Sequence, residues 1–220
     1  MKKLLTMTGS SLFGASLIAT PAMAHHPLNG MPMETFAHGL LSGVGHPLLG
    51  FDHLFFVIAM GIAAIFTARR YFAPAAYIAA MLAGCALMYA GVALPMTETV
   101  IVVSLLAIGG IVLSGRALNA SLAIALFALF GAFHGSAFGG SIAGQEGGVG
   151  GAVLLGYALG LAVLQYGIAL AAGWVAEKVL GATEASAINA RLVGAMVAGV
   201  GVFLALEIVE GPIVAALTAV

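Results

Sequence analysis

The sequence predicts an all-α polytopic membrane protein, a bundle of six transmembrane helices after a cleaved signal peptide, and three observations predict it. First, the 220 residues are 62% hydrophobic and only 7% charged, with a mean hydropathy of +1.16. A soluble domain of this size needs more charge to cover its surface. Second, the apolar residues form long runs rich in Leu, Ala, Ile, Val and Gly. Such runs cross a bilayer as helices, whereas barrel strands are short and alternate. Third, Lys and Arg fall between the runs in an asymmetric pattern.

The first segment reads as a targeting signal. Lys2 and Lys3 give a positive start, Leu12 to Ile18 an apolar stretch, and Ala22-Met23-Ala24 a small-x-small cleavage pattern. The expected organisation is a signal peptide over 1–24, a periplasmic arm over 25–45, and a transmembrane domain over 46–220. The arm mixes Pro27, Pro32, Glu34 and His38 with apolar residues, as an exposed segment or a short interfacial helix would.

Span one is expected from Pro47 to Ala68, with Pro47 in a first helical position, and it stops at Arg69-Arg70. Span two covers about Ala75 to Leu94, span three Val100 to Leu113, and span four Leu118 to Phe138. A glycine-rich loop, Gly139 to Gly151, precedes span five from Ala152 to Val175. Span six runs from Leu192 to Val209. Arg69, Arg70, Arg116, Lys178 and Arg191 then all lie on one side, which the positive-inside rule makes cytoplasmic. The opposite side carries Glu34, Glu98, Glu146 and Glu210 and no Lys or Arg. An acidic outer rim suits attraction of a cation. The expected location is a bacterial inner membrane, with the mature N-terminus and the C-terminus periplasmic. Spans one and four run in opposite directions, as in two inverted halves of three spans. Gly135 with Gly139, and Gly156 with Gly160, form small-xxx-small faces suited to close helix packing.

The chemistry concentrates in His46-Pro47-Leu48-Leu49-Gly50-Phe51-Asp52-His53. On one helix, His46 and His53 lie about two turns apart on nearly the same face, with Asp52 pointing elsewhere. An adjacent imidazole and carboxylate are costly in hydrocarbon, so they mark function. The second cluster is Phe133-His134-Gly135-Ser136-Ala137-Phe138-Gly139. His53 is expected roughly 9 Å below the start of its span, and His134 roughly 6 Å from the end of its own. Imidazole with carboxylate suits nickel, cobalt or zinc, whereas calcium and magnesium prefer oxygen. A set drawn from His46, Asp52, His53 and His134 meets that demand. The alternative is that each histidine bonds a neighbouring helix carbonyl.

Peripheral candidates are His25-His26 at the new terminus and His38 as an entry ligand. Gln165 lines a path or makes an interhelical hydrogen bond. Glu207 and Glu210 share a face near the outer end of span six. Cys85 has no partner in the chain, which excludes an intrachain disulfide and a cysteine zinc site. The chain has no His-Glu-x-x-His, no nucleophile elbow and no P-loop. It is therefore not expected to be an enzyme.

At His46-Pro47-x-x-Gly50-x-Asp52-His53 and Phe133-His134-Gly135, the chain resembles the HupE/UreJ family of nickel and cobalt permeases, accessory proteins to hydrogenase and urease. The likeness extends over the mature chain in span number, signal and motif position. It implies a role in metal uptake for His46, Asp52, His53 and His134. Two departures stand out. Many members carry a second histidine where this chain has Phe138, and a subgroup has Glu where it has Gly140. Glu146 resembles the acidic residue later in that subgroup's motif and is expected to compensate.

The expected activity is a secondary permease that imports a divalent transition metal, nickel or cobalt, for metalloenzyme or cofactor assembly. No permanent cofactor and no nucleic acid partner are expected. The ion is the substrate, the lipid bilayer the surroundings, and a homo-oligomer an open possibility. Two rivals remain: a haem protein with His53 and His134 as axial ligands, against which Asp52 argues, and a metal sensor or assembly partner that binds without transport.

Overall fold

The computed structural model describes residues 32–144 and 149–218. The expected signal peptide over 1–24, His25, His26 and Glu146 lie outside the described residues. The elements are α1 (Phe36–Leu49), α2 (Phe51–Ile65), α3 (Phe72–Tyr89), α4 (Thr97–Ser114), α5 (Ala120–Ala143), α6 (Gly151–Trp174), which ends in a π-helical turn over Val175–Val179, and α7 (Ile188–Thr218). Among the described residues every element is helical. Five of the helices, α3 to α7, are long and apolar enough to cross a membrane. The pair α1 and α2, bent by 79° at its break, meets that length only together.

The bundle is assembled from three tight pairs: α3 with α5, α1 with α6, and α4 with α7. Each pair is closed by glycine, because in lipid only close van der Waals approach rewards association of apolar helices. A Cβ at Gly135 would run into the Met81 carbonyl, and one at Gly139 would lie 2.6 Å from the Cys85 carbonyl oxygen. Gly156 abuts the Phe36 carbonyl in the same way, and a Cβ at Gly160 would sit 2.6 Å from that of Leu40. In the third pair Gly109 meets the backbone of Ala198. Both small-residue faces expected from the sequence therefore pack helix on helix. If α1 and α2 together count as the first span, the pairs join spans two and four, one and five, and three and six. That list is unchanged when the two halves of three spans are exchanged, as an inverted repeat requires.

The first span departs from expectation. Helix does not begin at Pro47 but at Phe36, where the Thr35 hydroxyl caps the His38 amide at 3.1 Å, and Pro47 lies buried inside α1. Residues 36–45 are thus helical and packed on α6. Gly50, extended at φ −84° and ψ 95°, ends α1 and opens α2. Its amide bonds the His46 carbonyl at 2.9 Å, and its carbonyl accepts from Leu54 at 3.0 Å. Followed along α6, Gly43 lies against Tyr157 and Leu161, Gly61 against Ala169, and Ile65 against Gly173. The broken pair therefore runs from one end of α6 to the other, bent at the buried Gly50.

A second departure is in α5, which continues through Gly139 to Ala143 where a loop was expected. Gly139 faces the α3 backbone, so the tight pairing carries helix through the glycines. Helix α7 is also longer than expected, at 31 residues and with Pro212 inside it. That is about 46 Å of helix against a hydrocarbon core of about 30 Å.

The bundle ends are electrostatically distinct. Arg70 of the α2–α3 turn bonds Glu177 in the π-helical turn after α6, and the Arg191 guanidinium donates to the Leu113 carbonyl at 2.9 Å. Arg116 lines a cleft with Phe66 and Ala185, so the basic residues gather at one end. The Glu177 hydrogen bond raises the pKa of Arg70 above its ordinary value, holding it charged. Glu34 and Glu98, before α1 and in the first turn of α4, mark the opposite end.

Gly135→Ala is expected to destabilise the protein by about 1–3 kcal/mol through overpacking. Gly110→Ala, whose Cβ would meet nothing within 4 Å, is expected to be neutral. Thermal unfolding of the two variants in detergent checks both.

Candidate functional site

The break at Gly50 builds the site. His46 stands near the end of α1 and His53 in the first turn of α2, so they do not share one helix face. The bend instead turns their rings toward each other, with centroids 5.9 Å apart. A Cβ at Gly50 would lie 2.8 Å from Cδ2 of His53 and 3.2 Å from the Asp52 carboxylate, so the bend accepts only glycine without displacing them.

Helix α5 supplies the second half. Because α5 ends at Ala143, His134 lies about 13 Å from that end, deeper than the sequence suggested. It is fully buried, and His53 is 4% exposed. Their Nδ1 atoms are 2.7 Å apart, linking α2 to α5. On its far side His134 Nε2 meets Ser104 Oγ of α4 at 3.0 Å, while that hydroxyl lies 2.6 Å from the Ile101 carbonyl.

One arrangement of the protons satisfies these contacts. A hydroxyl has one hydrogen, and Ser104 donates it to the Ile101 carbonyl, so His134 Nε2–H must be the donor to Ser104. His134 Nδ1 then holds a lone pair, and His53 donates from its own Nδ1. The remaining ring nitrogen of His53, Nε2, lies 3.8 Å from the Asp52 carboxylate. The same counting applies to His46. Ser141 Oγ donates to the Phe138 carbonyl at 2.8 Å and lies 3.2 Å from His46 Nδ1, with the Tyr157 hydroxyl 3.0 Å from Ser141 and 3.4 Å from His46. The Tyr157 hydroxyl also reaches the Phe138 carbonyl, at 3.0 Å, so a His46 ring with its proton on Nδ1 satisfies these contacts.

The buried Phe138 ring packs against both histidines of the first motif, 4.3 Å from His53 and 5.1 Å from His46 between centroids. His53 and His134 are thus brought into direct contact, with His46 and Asp52 alongside. No three His, Cys, Asp or Glu side chains among the described residues converge on one point in this conformation. His38 is not brought to this cluster. It stands in the first turn of α1, about 12 Å along the helix from His46, where its Nδ1 accepts from the Glu34 amide at 3.2 Å.

Ser104, Ser141, Tyr157 and Tyr77 went unrecognised in the sequence. Ser104 carried a faint signal as a lone hydroxyl within an apolar run. Ser141 was hidden by the loop expected in its place. Tyr157 and Tyr77 looked like ordinary aromatic packing.

A family model described as HupE / UreJ protein matches residues 13–204. The chain belongs to the HupE/UreJ family. It is similar to "Protein HupE" of Rhizobium leguminosarum bv. viciae, 30% identical over 187 residues, which cover 80% of this chain and 94% of that protein. No solved structure matches the chain. Membership makes this a multi-pass membrane protein of transporter type and implies a function related to nickel or cobalt transport.

An imidazole in place of Phe138, the residue many family members carry there, would stand between His46 and His53. Phe138→His is expected to tighten nickel binding by the purified protein roughly tenfold, about 1.4 kcal/mol. Equilibrium dialysis measures it, and unchanged affinity would remove His46 and His53 from the ligand set.

Proposed function

We propose that this chain is a secondary permease carrying nickel or cobalt inward across a bacterial inner membrane, with its termini periplasmic. The observation that carries the reading is the buried His53–His134 contact, which joins α2 to α5 where no glycine-closed pair holds the helices together. Ionisable groups at such depth are rare without a function.

Binding needs little movement. Two imidazole nitrogens at about 2.0–2.1 Å from one ion stand about 2.8–3.4 Å apart for angles of about 90–109°. The two Nδ1 atoms start at 2.7 Å. The ion needs lone pairs on both, so the His53 proton moves from Nδ1 to Nε2, where Asp52 is placed to accept its hydrogen bond. A carboxylate behind a ligating histidine fixes the tautomer in this way. His46, held by Ser141 and Tyr157, stands beside the pair as a further ligand. His38 and Glu146 belong to the entry route on the acidic side. The inward route ends at the basic end, where Arg69, Arg70, Arg116, Lys178 and Arg191 mark the cytoplasm by the positive-inside rule.

No ATP is required. An inside-negative potential of 100 mV favours entry of a doubly charged ion by roughly 4.6 kcal/mol. A haem between His53 and His134 is disfavoured, since their rings touch with centroids 4.9 Å apart and leave no gap for a macrocycle.

The test is uptake of radioactive nickel and cobalt into cells expressing wild type, Asp52→Ala or His53→Ala at matched membrane levels. Wild type is expected to accumulate ion above empty cells and both variants to fall to background, with the stronger competitor ion giving the preferred metal. Metal bound by purified protein without uptake would overturn the permease and leave a sensor or assembly role.

A further inference from the structure

Below the histidines lies a second polar contact. Tyr77 of α3 donates its hydroxyl to Gln165 Oε1 of α6 at 2.7 Å, and Gln165 Nε2 donates to the Leu161 carbonyl at 3.3 Å. Tyr77 and Gln165 are both fully buried. Gln165 stands fourteen residues into α6 and nine before Trp174, hence about 21 Å from the acidic end and about 13 Å from the π-helical turn that leads to the basic one. His134 is about 13 Å from the acidic end of α5. The amide therefore sits one step further inward.

The Tyr77 ring connects the two levels. One side of it faces His134, with centroids 6.0 Å apart, and Phe56 fills the corner at 5.4 Å from Tyr77 and 4.5 Å from His134. Its hydroxyl reaches Gln165. The contact also crosses between the α3–α5 and α1–α6 pairs, so separation of those pairs breaks it.

We propose that Gln165 is the next ligand on the ion's route, its amide oxygen receiving the ion after His134. The Tyr77 hydroxyl occupies that oxygen until the helix pairs part. This rests on the permease reading. The chemistry gives direction to the passage. Imidazole nitrogen holds nickel and cobalt better than a neutral amide oxygen does, and a path conducts when later sites are weak enough to let go. The Leu161 carbonyl, already turned toward the amide, is the adjoining oxygen on the same wall of α6.

The experiment compares wild type, Gln165→Leu, Tyr77→Phe and Gln165→Glu as full-length proteins. Equilibrium binding of radioactive nickel is measured in detergent, and initial uptake rate in proteoliposomes with an inside-negative potential. All four are expected to bind nickel within twofold of each other. Gln165→Leu is expected to lose at least tenfold in maximal uptake rate at unchanged half-saturation. Gln165→Glu, which keeps an oxygen donor, retains uptake. Tyr77→Phe keeps the amide and unlocks it, so its rate equals or exceeds wild type.

A purely structural tie makes a different forecast, because Gln165→Leu and Tyr77→Phe delete the same hydrogen bond. Equal losses in the two variants, or a wild-type rate in Gln165→Leu, would overturn the relay while leaving the permease standing. Binding without uptake by wild type would remove both. Should Gln165→Leu not elute as a single species in gel filtration, Gln165→Ala carries the same comparison.

Discussion

Apolar helices in a bilayer gain nothing from hiding from their solvent, since lipid tails are as apolar as leucine. Only close contact between backbones rewards association. The structure depends on this constraint. Gly135 and Gly139, Gly156 and Gly160, and Gly109 with Gly194 bring α5, α6 and α4 against their partners closer than any side chain allows. Once the pairs are fixed, α2 is left at the centre, packed against members of all three, and the loops only connect them.

The polar groups occupy what remains. Ser104 to His134, His46 to Ser141 and Tyr77 to Gln165 each join helices that belong to different pairs, and His53 to His134 joins the central α2 to one of them. Interhelical hydrogen bonds in membranes average about 0.6 kcal/mol, too little to hold such a bundle together. Their role is to mark where it can give. Parts that move relative to one another need contacts that are cheap to exchange, and these four are of that kind.

Much of the fold was legible because the bilayer makes hydropathy a direct reading of helices. The asymmetry of Arg69, Arg70, Arg116, Lys178 and Arg191 ordered the ends, and the two glycine faces packed as spacing suggested. Both motif histidines of greatest weight, His53 and His134, proved to touch. The break at Gly50 was not legible, since Pro47 followed by an apolar run reads equally well as a helix start. The extension of α5 past Gly139 was hidden because glycines that usually end helices here serve packing. Convergence of Ser104, Ser141, Tyr157 and Tyr77 depends on which helices are neighbours, and no local pattern encodes that.

The interruption at Gly50 also has an electrostatic effect. An unbroken span would place Asp52 in the middle of a helix, where the backbone dipoles have already cancelled and nothing offsets its charge. Starting a new helix at Phe51 puts Asp52 in a first turn, against the uncapped amides that carry about half a positive charge. One extended glycine thereby puts the positive pole of a helix beside the buried His53. It gives a carboxylate a counter-charge there without any lysine or arginine, either of which would repel an arriving cation.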